Sequence, residues 1–262
     1  MTHDRHESSV VRLEPSVQRD VFQRDGFVVV PELFDAAEIA RISAWTDEIE
    51  RAPEVPGRAM KYYEPSLLRP GDRVLQRIEN FCPFHAGFAG LCDGDKLRGS
   101  VARLLGEPAV LFKDKINFKL PGGDGFKPHQ DQQAGWSTYA DLFVTAMVSI
   151  DATTAENGCL ELVAGHHTRG LIGEEWKPLT DDDMRRLGAR AVPTQPGDAV
   201  FFDSYTPHAS APNLTAERRR VLYITYNRRS VGDHRVRYYA DKRKSFPPDI
   251  ERDPSKTYTF RV

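Results

Sequence analysis

The hydrophobic pattern divides the chain into a helix-rich first part and a strand-rich second part. In the first part, Asp35 and Glu38 form a capping-box pattern, and the apolar positions that follow, including Ile39 and Ile42, recur at helical spacing. Shorter helices are predicted over 15–24 and 94–105, and a strand is predicted over 26–30. The stretch 51–72 is rich in Pro and charge and is predicted as a loop.

From residue 110 onwards, short runs of β-branched and aromatic residues alternate with turn sequences such as Pro-Gly-Gly, Asn-Gly and Pro-Gly-Asp. Strands are predicted over 110–120, 142–150, 159–163, 189–194, 199–202 and 221–226, with a helical or looped insertion over 174–187. This alternation indicates a β-sandwich or barrel. We therefore predict one mainly β domain with flanking helices over 1–262. Its parts are a mobile tail (1–14), a mostly helical part (15–109) and a β core (110–262).

Composition and charge exclude several function classes. A formal net charge of −2 argues against a dedicated nucleic-acid-binding protein. No apolar run approaches the roughly 18 residues that span a bilayer, and the N-terminus does not resemble a signal peptide. The three cysteines form no C-x-x-C motif, which fits a reducing compartment. We expect a cytoplasmic protein with a small-molecule substrate and neither nucleic-acid nor membrane partners; monomer and homodimer are not distinguished.

The candidate chemistry lies in two separate segments of the β-rich part. His129 and Asp131 are two residues apart, so on an extended segment their side chains project to the same side. His208 follows the predicted strand 199–202 and offers a third ligand. Two His and one carboxylate on one face of a metal form the facial triad of non-haem Fe(II) oxygenases. Arg219, eleven residues beyond His208, offers a bidentate partner for a carboxylate.

This pattern, extended by Ser210 and Asn213 after His208, resembles the phytanoyl-CoA dioxygenase family of Fe(II)/2-oxoglutarate oxygenases. The resemblance implies a double-stranded β-helix (jelly roll) core. It also implies Fe(II), 2-oxoglutarate and O2, with succinate, CO2 and a hydroxylated compound as products. It assigns Asn117 and Ser210 to 2-oxoglutarate binding. Related halogenases carry a small residue where Asp131 stands here, which favours hydroxylation over halogenation.

The stretches 115–136 and 237–250 are similar to bacterial enzymes that hydroxylate 2-aminoethylphosphonate or its N-methylated relatives, which implies a 1-hydroxy product. If Asn117 points inward, strand alternation places Lys115 and Lys119 on the same face. Candidate substrate contacts are Lys115, Arg77 and Arg237, with Arg228 as a further cation and Glu79 or Asp141 as the partner of an ammonium.

Three alternatives remain from the sequence. The same chemistry can act on a CoA thioester or a compatible solute. A non-catalytic β-barrel can bind a small acid, and a zinc hydrolase can use the same ligands. The metal triad together with Arg219 argues against the last two, because a zinc hydrolase needs no anchor for an oxoacid.

Overall fold

The computed structural model describes residues 14–259, so the predicted tail over 1–14 lies outside the described residues except for Glu14. The helices are α1 (Pro15–Asp25), α2 (Ala36–Arg51), α3 (Ala86–Asp93), α4 (Ser100–Leu105), α5 (Asp181–Arg186) and α6 (Arg235–Ser245). The strands are β1 (Phe27–Val30), β2 (Met60–Pro65), β3 (Arg73–Glu79), β4 (Ala109–Lys119), β5 (Phe126–His129), β6 (Phe143–Ser149), β7 (Leu160–Leu162), β8 (Arg190–Val192), β9 (Ala199–Asp203), β10 (His208–Ser210) and β11 (Arg219–Arg228). A turn of π-helix, Asp95–Gly99, precedes α4.

The strands form two antiparallel sheets. The larger sheet has the order β1-β9-β6-β11-β4-β3-β2, and the smaller has the order β5-β10-β7-β8. A buried cluster joins the two sheets, with Leu160 and Leu162 of β7 packed with Val200, Phe202 and other residues of the larger sheet. The candidate chemistry lies between these sheets, because β5 and β10 carry the two predicted histidine ligands.

The opposite face of the larger sheet packs against the N-terminal helices. Strand alternation directs Leu222 and Ile224 of β11 into this helix-covered core, which also contains Ile39 and Ile42 of α2. The predicted capping box is present, because the Asp35 carboxylate accepts a hydrogen bond of 2.8 Å from the backbone N–H of Glu38. Within residues 14–259, no helix combines the length and the apolar character needed to cross a bilayer.

The loop prediction for 51–72 is wrong in its second half, where β2 lies, and β3 follows it. Both strands alternate apolar residues with charged ones such as Lys61 and Arg77, which is why their composition resembles a solvated loop. These charged side chains are nevertheless buried. Lys61 donates hydrogen bonds to the backbone carbonyls of Glu50 and Ala52, at 2.7 and 2.6 Å. These hydrogen bonds offset the cost of burying the Lys61 side chain, and the local sequence does not predict that burial.

Candidate active site

The three predicted metal ligands converge between β5 and β10. His129 and His208 are directly paired across these strands. The Asp131 Oδ1 atom lies 3.8 Å from Nε2 of His129 and 4.0 Å from Nε2 of His208. One ligand atom from each residue falls within a 4.8 Å group, a spacing that fits a single metal ion.

Backbone carbonyls orient both imidazoles. Nδ1 of His129 lies 2.7 Å from the Lys127 carbonyl oxygen, and Nδ1 of His208 lies 2.9 Å from that of Thr206. We assign the ring hydrogen to Nδ1 in each case, which leaves the Nε2 lone pair for a metal. Burial lowers the pKa of both histidines, that of His129 to about 3. Both rings are therefore neutral, as metal ligation requires.

Arg219, the predicted oxoacid anchor, begins β11 behind the residues that line the recess of the metal ligands. It pairs directly with Lys119 across the β4–β11 ladder, and the next inward-facing pair is Val221 with Asn117. The guanidinium is fully buried, and within residues 14–259 none of its three nitrogens meets hydrogen-bond geometry and no carboxylate pairs with it; the Tyr223 hydroxyl is close enough to interact with it. The Asn117 Oδ1 atom is also buried, and it has no hydrogen-bond partner within residues 14–259. Burial raises the pKa of Tyr223, and the nearby Arg219 guanidinium partly offsets this effect.

A buried guanidinium without a partner is costly, so an anion belongs beside it. The site therefore fits the distal carboxylate of a dicarboxylic oxoacid. The three ligands fit ferrous iron, which accepts mixed nitrogen and oxygen donors and keeps its remaining positions open in a facial triad. Arg219 and Asn117 would hold the oxoacid, while His129, Asp131 and His208 would hold the metal.

Ser210 and Lys119 form a second buried contact beside Arg219. The Lys119 amino group donates to the Ser210 Oγ atom at 2.8 Å and also to the Ala211 carbonyl oxygen. Because Ser210 Oγ accepts this hydrogen bond, its own proton is available to a ligand. Burial and the Arg219 charge lower the pKa of Lys119 to about 6. Ser210 lines the recess that also contains Asn117 and the metal ligands.

This recess shares six lining residues with an outer cavity of about 560 Å³. Lys113 and Lys115 line both, because they lie two residues apart on the inward face of β4. Burial lowers the pKa of Lys115 to about 7. The Glu79 carboxylate lines the outer cavity among basic residues. It accepts hydrogen bonds from Arg77 Nε at 2.8 Å and from Lys242 Nζ at 2.5 Å. Although burial alone raises the Glu79 pKa, the surrounding cations hold it well below its usual range.

Several predicted substrate contacts are not at the cavity. The Arg237 side chain is 58% exposed on α6, and its Nε lies 3.8 Å from Asp241. Arg228 and Asp141 lie 3.9 Å from each other, outside the cavity lining. Glu79 lines the cavity, but its carboxylate is already engaged by Arg77 and Lys242. Of the cations predicted to contact the substrate, Lys115 and Arg77 line the cavity, and Arg237 and Arg228 do not.

Arg220, the residue after Arg219, is buried although two other arginines precede it in sequence. Arg220 is 2% exposed and pairs with Asp47 at 2.6 Å and Asp151 at 2.8 Å. It does face away from Arg219, as alternation on β11 requires, but the opposite face is the helix-covered core. Only Arg218, whose side chain is 45% exposed, behaves as a solvated neighbour.

Sequence reasoning missed four residues of the site and its mouth: Lys113, Lys242, Trp176 and Asp241. Lys113 could have been found, because period-two alternation on β4 places it on the face of Lys115. The other three come from α6 and from the loop before α5. Nothing in the local pattern of those segments points to a cavity.

Together, a facial triad and a buried, unpaired guanidinium define an iron- and oxoacid-dependent oxygenase. The family model of phytanoyl-CoA dioxygenase (PhyH) matches residues 22–221. The chain belongs to the phytanoyl-CoA dioxygenase family. It is an Fe(II)/2-oxoglutarate-dependent dioxygenase. Membership of this family confirms the predicted use of Fe(II), 2-oxoglutarate and O2.

Two of the curated relatives that match most of the chain are at least 40% identical to it. A 2-aminoethylphosphonate dioxygenase from Uncultured bacterium HF130_AEPn_1 is 42% identical over 243 residues, which are 92% of each protein. A methylphosphonate hydroxylase from Gimesia maris is 40% identical over 232 residues, 87% of this chain and 86% of the relative.

Among solved structures, EctD from S. alaskensis with 2-oxoglutarate and 5-hydroxyectoine superimposes with a TM-score of 0.70 and 22% identity. The match covers 86% of this chain and 80% of EctD. The predicted mainly β fold with a double-stranded β-helix core is confirmed.

Proposed function

We propose that this enzyme hydroxylates 2-aminoethylphosphonate or an N-methylated relative at C1. The observation that carries the proposal is the charge of the outer cavity. Four basic side chains line it, Arg77, Lys113, Lys115 and Lys242, against three carboxylates, and Lys115, with a pKa of about 7, is partly charged at neutral pH. One of these carboxylates is the metal ligand Asp131, and a ferrous ion would add two further positive charges. A cavity of this charge favours a dianionic group such as a phosphonate.

The relatives support the same substrate class. The two relatives at 42% and 40% identity both carry a phosphonate in their names. A compatible solute or a CoA thioester remains the alternative for the same chemistry. A compatible solute without an anionic group would leave the basic residues Lys113 and Lys115 without an anionic ligand.

The cavity residues suggest how the substrate is oriented. Lys115 adjoins the metal ligands, so a phosphonate bound to Lys115 and Lys113 would hold its C1 carbon beside the metal. Arg219 would hold the 2-oxoglutarate distal carboxylate, with Asn117 and the Ser210 hydroxyl as hydrogen-bond partners. When bound, ferrous iron and 2-oxoglutarate supply the oxidising power that inserts one atom of O2 into a C–H bond while succinate and CO2 are released.

The experiment measures succinate release by the Fe(II)-loaded enzyme with 2-oxoglutarate and O2. The substrate panel contains 2-aminoethylphosphonate, its N-methylated forms, ectoine and an acyl-CoA thioester. We expect a phosphonate to stimulate succinate release most and to give a 1-hydroxy product detected by ³¹P NMR. Asp131→Ala should abolish the release. Stimulation by ectoine or the thioester, without stimulation by any phosphonate, would contradict the proposal.

We further propose a cytoplasmic location, a small-molecule substrate and no nucleic-acid or membrane partner. The location is supported by three free cysteine thiols, with the Sγ atoms of Cys82 and Cys92 3.3 Å apart and not bonded. Free thiols at this distance are typical of a reducing compartment. A monomer and a homodimer fit equally well.

A further inference from the structure

Trp176 lies at the mouth of the outer cavity in a conformation that a large residue rarely adopts. Its backbone φ is +64°, in the left-handed region. Its side chain is 45% exposed although it lines the cavity. A strained backbone that presents an exposed aromatic ring to a cavity is a common feature of ligand-binding positions.

The loop that carries Trp176 is held to the metal-binding segment by two glutamines. The Gln130 side chain accepts from the Ile172 N–H at 2.7 Å and donates to the Gly170 carbonyl at 2.9 Å. The Gln133 amide donates to the carbonyls of Glu174 and Lys177, at 3.1 and 2.5 Å. The loop position is therefore fixed relative to His129 and Asp131, the neighbours of Gln130 in sequence.

The ring of Trp176 is also held against Gly135. A Cβ atom at Gly135, where φ is +73°, would lie 2.3 Å from the Trp176 Cζ2 atom. Only glycine permits this close approach. The backbone of the Trp176 residue is fixed as well, because its N–H donates to the Gln133 carbonyl at 2.7 Å. The ring is thus preorganised at the cavity mouth.

Asp241 of α6 supplies a carboxylate to the same cavity. Of the three carboxylates in the lining, Asp131 faces the metal and Glu79 is engaged by two cations, which leaves Asp241 for a ligand. The Tyr139 hydroxyl donates to Asp241 Oδ2 at 2.9 Å and orients the group. The nearest charged partner, Arg237, lies at 3.8 Å and does not line the cavity.

We propose that Trp176 and Asp241 form the subsite that binds the ammonium end of the substrate. An aromatic face attracts ammonium and methylated ammonium groups, and a carboxylate compensates their charge. The inference rests on the proposed function and deepens it. With the phosphonate on Lys113 and Lys115 at the metal end, this subsite selects aminoalkylphosphonates over an alkylphosphonate without an amine.

The test compares three probes: 2-aminoethylphosphonate, its N,N,N-trimethyl derivative and methylphosphonate. Their dissociation constants are measured anaerobically by calorimetry on the Fe(II)/2-oxoglutarate-loaded enzyme, together with KM from succinate release. We expect Trp176→Leu and Asp241→Asn to weaken binding of both amines about tenfold. Trp176→Phe, which keeps an aromatic face, should weaken it about twofold. Methylphosphonate binding should stay within a factor of about two.

Glu174→Gln is the matched control, because Glu174 lies on the same loop and is exposed in an ion pair with Lys177. We expect this variant to bind all three probes as the wild type does. Equal losses for methylphosphonate and the amines, or no loss for the amines, would overturn the subsite. If the wild-type enzyme binds and oxidises no phosphonate, the proposed function itself is wrong. A wild-type enzyme that binds the amines but not methylphosphonate would support the inference.

Discussion

The buried guanidinium of Arg219 makes the substitution Arg219→Met informative in two respects. In the ligand-free protein the three nitrogens lack hydrogen-bond partners within residues 14–259, and Lys119 faces Arg219 across the ladder. An uncompensated buried charge costs several kcal/mol, whereas an unbranched apolar side chain of similar length fills the same space. We expect Arg219→Met to stabilise the ligand-free protein by about 1–3 kcal/mol, or roughly 2–4 °C in Tm per kcal/mol.

The same substitution should weaken the binding of 2-oxoglutarate. Removing one partner of a buried, hydrogen-bonded charge pair costs about 2–5 kcal/mol, because the other charge is left desolvated. A middle value of about 3 kcal/mol corresponds to roughly a 100-fold rise in Kd. Stability without ligand and affinity for ligand should therefore change in opposite directions.

The assay combines thermal unfolding, with and without 2-oxoglutarate, and anaerobic titration of the Fe(II)-loaded protein followed by the charge-transfer band. Arg218→Met is the control, because Arg218 is a partly exposed neighbour paired with Asp47. It should leave the affinity unchanged. If Arg219→Met destabilises the ligand-free protein and leaves the Kd for 2-oxoglutarate unchanged, Arg219 is a structural residue and the anchor lies elsewhere.

Three further predictions concern buried titratable groups. Lys119→Met should raise the Kd for 2-oxoglutarate about tenfold, and the effect should shrink in a Ser210→Ala background; additive effects would contradict a shared contact. Because the pKa of Lys115 is about 7, its charge is lost as the pH rises, so KM for an anionic substrate should increase from about pH 6 to about pH 8. This slope should vanish in Lys115→Met. Burial raises the pKa of Asp203 to about 7 from 3.8, so the folded state binds the proton more tightly and stability falls from about pH 4 to about pH 7. Asp203→Asn should raise Tm at about pH 8 and remove this slope; an unchanged pH profile of Tm would refute it.

The grouping of the candidate metal and 2-oxoglutarate residues could be predicted because it depends on strand alternation. His129 and Asp131 share a side of an extended segment, and Asn117 and Lys115 share the inward face of β4. The spacing after His208 and the chemistry of a guanidinium pointed to Arg219, and the family resemblance added Asn117 and Ser210. Strand alternation and the spacing of the motif residues were therefore enough to predict which residues form the candidate metal and 2-oxoglutarate sites.

The outer cavity could not be predicted, because tertiary pairing defines it. Lys242 donates a hydrogen bond to Glu79, which is 163 residues away in sequence. This contact joins α6 and β3 as two sides of the outer cavity. Arg237 is a predicted substrate contact. On helix α6, however, Asp241 and Lys242 line the cavity, whereas Arg237, one turn before Asp241 and 3.8 Å from it, lies outside the lining. The position of each residue along α6 decides which of them a substrate meets, and the sequence analysis predicts no helix there.

The order of the two sites follows from one strand ladder. Along the inward face of β11 and β4, the paired residues are Arg219 with Lys119, Val221 with Asn117, Tyr223 with Lys115 and Thr225 with Lys113. The second, third and fourth pairs contribute Asn117, Tyr223, Lys115, Thr225 and Lys113 to the recess of the metal ligands, and Lys113 and Lys115 also line the outer cavity. A slip of one residue would turn this entire face into the helix-covered core. Strand register therefore fixes the candidate co-substrate anchor and the substrate-facing basic residues together, along one face of the larger sheet.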